Sequence, residues 1–322
     1  MTIICAGSIA FDYLMTFPGY FREHILPEKL ESISLSFLVD SMTRQRGGTA
    51  PNIAYNLALL GERPAIFGAA GQDFEDYRAW LENSGVNTRY VRIVPDEYTA
   101  SFFANTDLSN AQIASFYTGA MKYAAEMSLD ELAGETIDLM VISPDDPRAM
   151  HRHVMECRER KVPYLYDLGQ QVARVAVDEM RCGVEGAWAL FVNEYEFELL
   201  QKHMDKTAQQ IFVQVPLVVV TLGEKGANIY DHGELTHTEV VPPQRILDPT
   251  GVGDAFRAGF LRGYRLGLDW KTCGQMGALA ATYCLEQRGT QCHCYDAESF
   301  VARYRQHFDD EGRLDVLLKA VA

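Results

Sequence analysis

A doubly wound α/β fold, with a mostly parallel sheet covered by helices on both faces, is the architecture this sequence predicts. Three observations carry that expectation. Short apolar runs dense in β-branched residues, such as 139–142 and 217–222, have the length of strands buried on both faces. Segments with apolar residues three and four apart, such as 52–60, 148–160 and 253–266, read as amphipathic helices. The two kinds alternate along most of the chain, the pattern of a sheet layered between helices. With 322 residues, of which 48% are hydrophobic and 23% charged, there is ample material for a large core. That length suits either one α/β domain or two.

In chain order, 3–6 reads as the first buried strand. Residues 52–60 form a helix, with Pro51 suited to its first turn and Gly61 just past its end. Strand 65–69 and helix 74–83 follow, the helix ending near Gly85. Next come strand 139–142, helix 148–160, strand 164–166, strand 189–192 ending at Asn193, and helix 195–203. Strand 217–222 leads into a Gly-rich turn that joins Val220 to Ala227 as a hairpin. Residues 253–266, 271–287 and 297–307 read as three closing helices. Two segments break the alternation. Residues 13–46 contain no convincing helix; their pieces 13–17 and 32–40 look like strands. Residues 99–117 hold strands 100–106 and 112–117, joined by Asp107-Leu108-Ser109-Asn110, a good hairpin turn. These strands are either edges of the main sheet or a small separate sheet above it. No repeat or low-complexity linker is visible.

Charge and motifs exclude several classes. A formal net charge of −15 leaves no basic footprint for nucleic acid. No apolar run has the length of a membrane span. Residues 1–9 lack the basic start of a secretory signal and Asp12 interrupts any extension, so a reduced, cytoplasmic enzyme is expected. The triplet Cys292-His293-Cys294 has no second ligand pair at the spacing of a zinc site, and metal binding is not expected there. No P-loop occurs. The glycine run from Gly251 has Phe256 in the third place of a dinucleotide fingerprint, which disfavours a nicotinamide oxidoreductase.

The chemistry concentrates in Asp248-Pro249-Thr250-Gly251-Val252-Gly253-Asp254-Ala255-Phe256, where a loop turns into a helix. Glycines there let main-chain N–H groups converge on an anion, and the helix dipole favours negative charge. A carboxylate in the same turn would repel a statically bound phosphate. It makes sense as a base that takes a hydroxyl proton while the N–H groups of Gly251, Val252, Gly253 and Asp254 hold a phosphoryl group. Without that setting, Asp254 would be only a dipole-favouring first-turn residue.

This string resembles the C-terminal signature of the ribokinase-like (PfkB) family of carbohydrate and nucleoside kinases. Gly47-Gly48-Thr49-Ala50-Pro51-Asn52 resembles the family's N-terminal signature, and the two stand in the right order about two hundred residues apart. Val252 replaces the family's usual alanine, which backbone donors survive. Pro249 replaces the usual threonine and removes one N–H. The resemblance spans nearly the whole chain. It implies a single ribokinase-like domain over 1–322 whose lid is a small β-sheet built from insertions 13–46 and 98–118. It implies ATP as phosphoryl donor and Asp254 as catalytic base. Asp12, Gly47, Gly48 and Asn52 would hold the acceptor's diol. Asn193 and Glu196 match an Asn-x-x-Glu motif that organises magnesium through water; they equally read as a helix capping box. Thr221, Gly223 and Gly226 fall in the loop the family places beside the nucleotide. Asp248 and Thr250 open a region where members hold a monovalent cation, potassium being the candidate.

Several strings, Gly289-Thr290-Gln291 among them, lean towards prokaryotic adenosine or nucleoside kinases. A base needs a flat apolar slot, and the lid strands offer Phe102, Phe103, Phe116 and Tyr117. Phe102 and Phe103 face opposite sides of a strand, so only one can stack. The expected reaction is transfer of the γ-phosphoryl group of ATP to the 5′-hydroxyl of adenosine or a related nucleoside, with lid closure excluding water. The alternatives are a ribose, fructose or similar sugar kinase, and a catalytically silent nucleoside-binding regulator, against which the retained Asp254 and loop glycines argue. The partners expected are small molecules, with the protein a monomer or a homodimer paired through its lids.

Overall fold

The computed structural model describes residues 2–26, 31–32 and 34–321. Its main sheet has nine strands in the order β13-β12-β11-β10-β9-β8-β1-β4-β5. At the centre lies β1 (Thr2–Ala6), paired in parallel with β4 (Ala65–Gly71) on one side and β8 (Ile137–Ile142) on the other. The parallel run extends through β5 (Val91–Val94) beyond β4, and through β9 (Tyr164–Asp167), β10 (Ala189–Asn193) and β11 (Leu217–Thr221) beyond β8. A meander of β12 (Ala227–Asp231) and β13 (Glu234–Thr238) closes one edge antiparallel. The chain therefore reverses its strand order at β1, the kind of switch point that opens a crevice at the carboxyl ends of the strands.

Alternation along β1 sends side chains into two separate cores. Ile4 and Ala6 join a cluster packed under α3 (Pro147–Arg160), α4 (Val177–Gly186), α5 (Glu194–Met204) and α6 (Ala208–Gln214). Ile3 and Cys5 face the other cluster, with α1 (Thr49–Leu59), α2 (Glu75–Asn83) and α7 (Val252–Arg265). Both faces of the sheet are thus dry, which is why its strands read as continuous apolar runs. Beyond α7 a third cluster joins α8 (Trp270–Leu285), α9 (Ala297–Tyr304) and α10 (Asp315–Val321).

The strands that broke the alternation form a separate four-stranded sheet, ordered β3-β2-β6-β7. It comprises β2 (Ala10–Thr16), β3 (Ser41–Gly47), β6 (Ala100–Thr106) and β7 (Gln112–Tyr117). Only three residues separate β1 from β2, so the chain passes directly from the main sheet into the small one. Two strand bounds differ from expectation. The strand expected at 13–17 begins at Ala10 and carries Asp12 in register with Gln45 and Phe102. The strand expected at 32–40 lies instead at Ser41–Gly47; Ile33 is outside the described residues. The apolar content of 32–40 serves a different purpose, since Phe37 packs edge-on against Phe17 and Phe21 at 5.0 and 4.9 Å. β3 itself is mostly exposed and polar, so no alternation marks it in the sequence.

Candidate active site

The crevice at the switch point is a cleft of about 690 Å³. Its floor comes from the carboxyl ends of the main-sheet strands: Ser8 after β1, Pro144 after β8, Asp167 in β9 and Glu196 after β10. The small sheet supplies its roof, with Asp12, Leu14, Gln45, Phe102 and Phe116. Phe102 and Phe116 are directly opposite each other on β6 and β7. Phe103 points to the other face, stacked on Tyr13 at 4.8 Å. The third wall is the loop and first turns of α7, with Thr250, Gly251, Asp254 and Arg257.

Two glycines allow this geometry. Gly48 caps α1 with φ 91°, and a Cβ there would lie 2.4 Å from the carbonyl oxygen of Ser8. Gly251 caps α7 with φ 77°. The main-chain N–H groups of Gly251, Gly253 and Asp254 have no acceptor among the described residues, and that of Val252 reaches only the carbonyl of Pro249 at 3.4 Å. A ring of free donors at a helix start suits an anion.

Asp254 is bound into a hydrogen-bond chain. Asn52 Nδ2 donates to its Oδ2 at 2.9 Å, and Gln291 Nε2 donates to Asn52 Oδ1 at 3.0 Å. Gln291 Nε2 also donates to the hydroxyl of Tyr77, which donates to the carbonyl of Gly47 at 3.0 Å. Burial pushes the Asp254 carboxyl up to about 7, against the opposing pull of Arg257 and of the Asn52 bond. Asp12 is raised to about 6, chiefly by burial, with a further contribution from Asp248. Gly47 lies under Asp12: a Cβ there would be 2.8 Å from Asp12 Oδ2.

The remaining expected residues lie at different points around this cleft. Asn193 and Glu196 form a reciprocal capping box, each main-chain N–H donating to the other's side chain at 2.8 Å. Glu196 faces the cleft while Oε2 caps, and burial raises its pKa. Asp248 builds the loop, its two oxygens accepting the N–H groups of Thr250 and Gly289 at 2.9 and 3.0 Å. Thr221 ends β11, Gly223 and Gly226 lie in the tight turn that leads to β12, and none of the three is among the residues lining the cleft. Gly226 has φ 89°, and a Cβ there would meet the carbonyl of Thr238 at 2.0 Å. Sequence reasoning missed four residues: Asp167, Arg257, Gln291 and Tyr77. Asp167 and Arg257 form a buried ion pair at 2.6 Å beside Asp254. Gln291 stands in the string Gly289-Thr290-Gln291 but had no role assigned from it, and the sequence marks none of the other three; the contacts reveal all four. At the Cys292-His293-Cys294 triplet, both thiols are exposed while His293 is buried, with its Nε2 2.7 Å from Asn56 Oδ1.

Comparison with known proteins shows which proteins this chain resembles. The family model "pfkB family carbohydrate kinase" matches residues 19–297. A nucleoside kinase of Methanothermobacter thermautotrophicus is 30% identical over 305 residues, covering 94% of this chain and 95% of its own. The structure of Burkholderia thailandensis nucleoside kinase in complex with inosine superposes with a TM-score of 0.85 at 35% identity, covering 95% of this chain and 98% of that one. The Methanocaldococcus jannaschii nucleoside kinase, an archaeal member of the ribokinase family, gives a TM-score of 0.86 at 26% identity over 95% of this chain and 98% of that one. Fold, cleft and relatives together make this chain a member of the pfkB family of carbohydrate kinases, a phosphotransferase with an alcohol group as acceptor.

Proposed function

We propose that this kinase transfers the γ-phosphoryl group of ATP to the 5′-hydroxyl of adenosine or a related nucleoside. The observation that carries the reading is the single cleft in which Asp12 and Asp254 meet under the aromatic pair Phe102 and Phe116. A ribose would be gripped by Asp12 and Asn52, with Gly47 and Gly48 allowing the backbone to approach. The base would lie against the Phe102–Phe116 roof, an apolar surface a free sugar does not need. The Burkholderia thailandensis nucleoside kinase, whose structures are in complex with inosine and with ADP-inosine, supports a nucleoside as the acceptor.

In the reaction Asp254 accepts the proton of the attacking hydroxyl. The new O–P bond forms as the bond between the γ-phosphorus and the β-phosphate bridging oxygen breaks, and ADP leaves. The free N–H groups of the α7 turn hold the charge on the transferred group. The donor's terminal phosphates would lie at this turn, with the nucleotide reaching towards Thr221, Gly223 and Gly226. Magnesium keeps several waters and binds mainly through phosphates. No group of three or more His, Cys, Asp or Glu among the described residues could hold a metal by itself, so Glu196 would orient the ion's water shell. The ion would supply charge neutralisation on the donor phosphates. A potassium ion near Asp248 and Thr250 would have to use lone pairs left by the two N–H bonds on Asp248.

The test is turnover with ATP and magnesium on a panel of nucleosides and free sugars. Adenosine or inosine should exceed ribose and fructose in kcat/KM by at least a hundredfold. Sugar turnover above nucleoside turnover overturns the reading.

A further inference from the structure

We propose that Arg257 is a catalytic residue of the phosphoryl transfer, its guanidinium contacting the migrating group while Asp167 holds it in position. This goes beyond the choice of acceptor and holds whether the cleft takes a nucleoside or a sugar.

Three observations point to it. First, Arg257 lies one helical turn after Gly253 on α7, and its side chain folds back over that turn. A Cβ built on Gly253 would lie 2.7 Å from Arg257 Nη1. The guanidinium is therefore packed onto the segment whose N–H groups are free, in the space that any side chain at 253 would occupy. Second, it is held there: Nε pairs at 2.6 Å with Asp167 Oδ2, and the two side chains are 12% and 2% exposed. Asp167 is itself pinned, its Oδ1 accepting the N–H of Gly169 at 3.1 Å. Third, Arg257 lines the same cleft as Asp254 and Gly251. Burying an arginine is costly unless all its donors find partners. Asp167 contacts the guanidinium through Nε as an ion pair, and the terminal N–H groups remain for the oxygens of a transferred phosphoryl, which guanidinium geometry matches.

Chemical logic supports the assignment. As the bond to the leaving phosphate breaks, charge spreads over the migrating group's three peripheral oxygens. Main-chain N–H groups supply dipoles; Arg257 supplies a full positive charge that no titration removes near neutrality. It makes and breaks no covalent bond, and the proton still passes from the acceptor hydroxyl to Asp254. The charged groups facing the guanidinium are Asp167, Asp254 and Glu196. Removing it leaves those three carboxylates without their cation, so Asp254 would hold its proton to higher pH.

Steady-state kinetics of Arg257→Ala, Arg257→Lys and Asp167→Asn test the proposal. Arg257→Ala should lose about a hundred- to a thousandfold in kcat with KM for the acceptor within about threefold. Its acid limb in kcat should move to higher pH, and added guanidinium ion should restore at least tenfold of the loss. Arg257→Lys should lose at least tenfold, because one ammonium cannot pair with Asp167 and also reach the phosphoryl oxygens. Asp167→Asn should fall between these. Wild-type kcat in Arg257→Ala, or a loss in it that guanidinium does not relieve, overturns the proposal. Should Arg257→Ala fail to fold, Arg257→Lys decides: kcat within threefold of wild type overturns the proposal, and a tenfold loss at unchanged acceptor KM supports it.

Discussion

At the scale of single residues, the site turns on how hard Asp254 holds its proton. Its carboxyl is raised to about 7, mainly by burial, so a proton-accepting role predicts activity that rises through neutrality. The expected kcat/KM profile has an acid limb near pH 7. Asp254→Asn should abolish that limb and lower kcat by about two to four orders of magnitude, with acceptor affinity mostly retained. Asn52→Ala removes a bond that favours the charged form, so its acid limb should move above that of the wild type. Wild-type-like turnover in Asp254→Asn, or an unmoved limb in Asn52→Ala, contradicts these roles. Asn52 and Asp254 were legible because each stands in a short string whose glycines make sense near a ligand, whereas Asp12, with no such string around it, was expected at the same cleft only from the family resemblance. Arg257 and Asp167 were not legible. An arginine four residues into a helix and an aspartate at a strand end each have ordinary explanations, and their meaning is their contact.

Elements show the same division. The parallel strands and the long helices were legible because burial on two faces writes continuous apolar runs and one-sided helices write a stripe. α4 was missed because Gly183 and Gly186 interrupt its pattern. Gly183 is there for packing: a Cβ would lie 2.5 Å from the ring of Tyr166. β3 was misplaced because an exposed strand in a small sheet has little apolar content to alternate. The caps of α1 and α7 depend on glycine in a way that can be measured. Gly48→Ala forces φ 91° on alanine and drives its Cβ into the backbone of Ser8, so it should lower stability by about 3 kcal/mol. Gly223 also has positive φ, at 61°, but open space around it, and Gly223→Ala should lose only about 1 kcal/mol. Urea unfolding midpoints compare the two; equal losses would mean that backbone conformation alone, and not the approach to Ser8, constrains position 48.

For the whole molecule, buried carboxyls make stability fall as pH rises. Asp145 is raised to about 8 and Asp254 to about 7, both from 3.8 and both chiefly by burial. A raised folded-state pKa gives stability that is complete below the unfolded value and disappears as pH climbs through the folded one. The buried His153 and His293, lowered by burial from 6.5 to about 4, act in the opposite direction but only below about pH 6.5. The ligand-free protein should therefore lose Tm steadily from pH 6.5 to 8 at constant ionic strength. In Asp145→Asn the decline should be shallower; parallel curves for variant and wild type would remove Asp145 from the account. The doubly wound plan was legible at this scale, whereas the direct step from β1 into β2 was not, since a three-residue link leaves no signature. That step has a consequence for anyone trimming this scaffold. The small sheet is no detachable ornament: Asp12 rides on β2 and Gly47 ends β3, so excising it to obtain a minimal core would delete two of the residues proposed to grip the acceptor, together with the roof. If the proposed roles hold, a stable remnant built from the nine-stranded sheet alone should still hold nucleotide while its hold on the acceptor is largely lost.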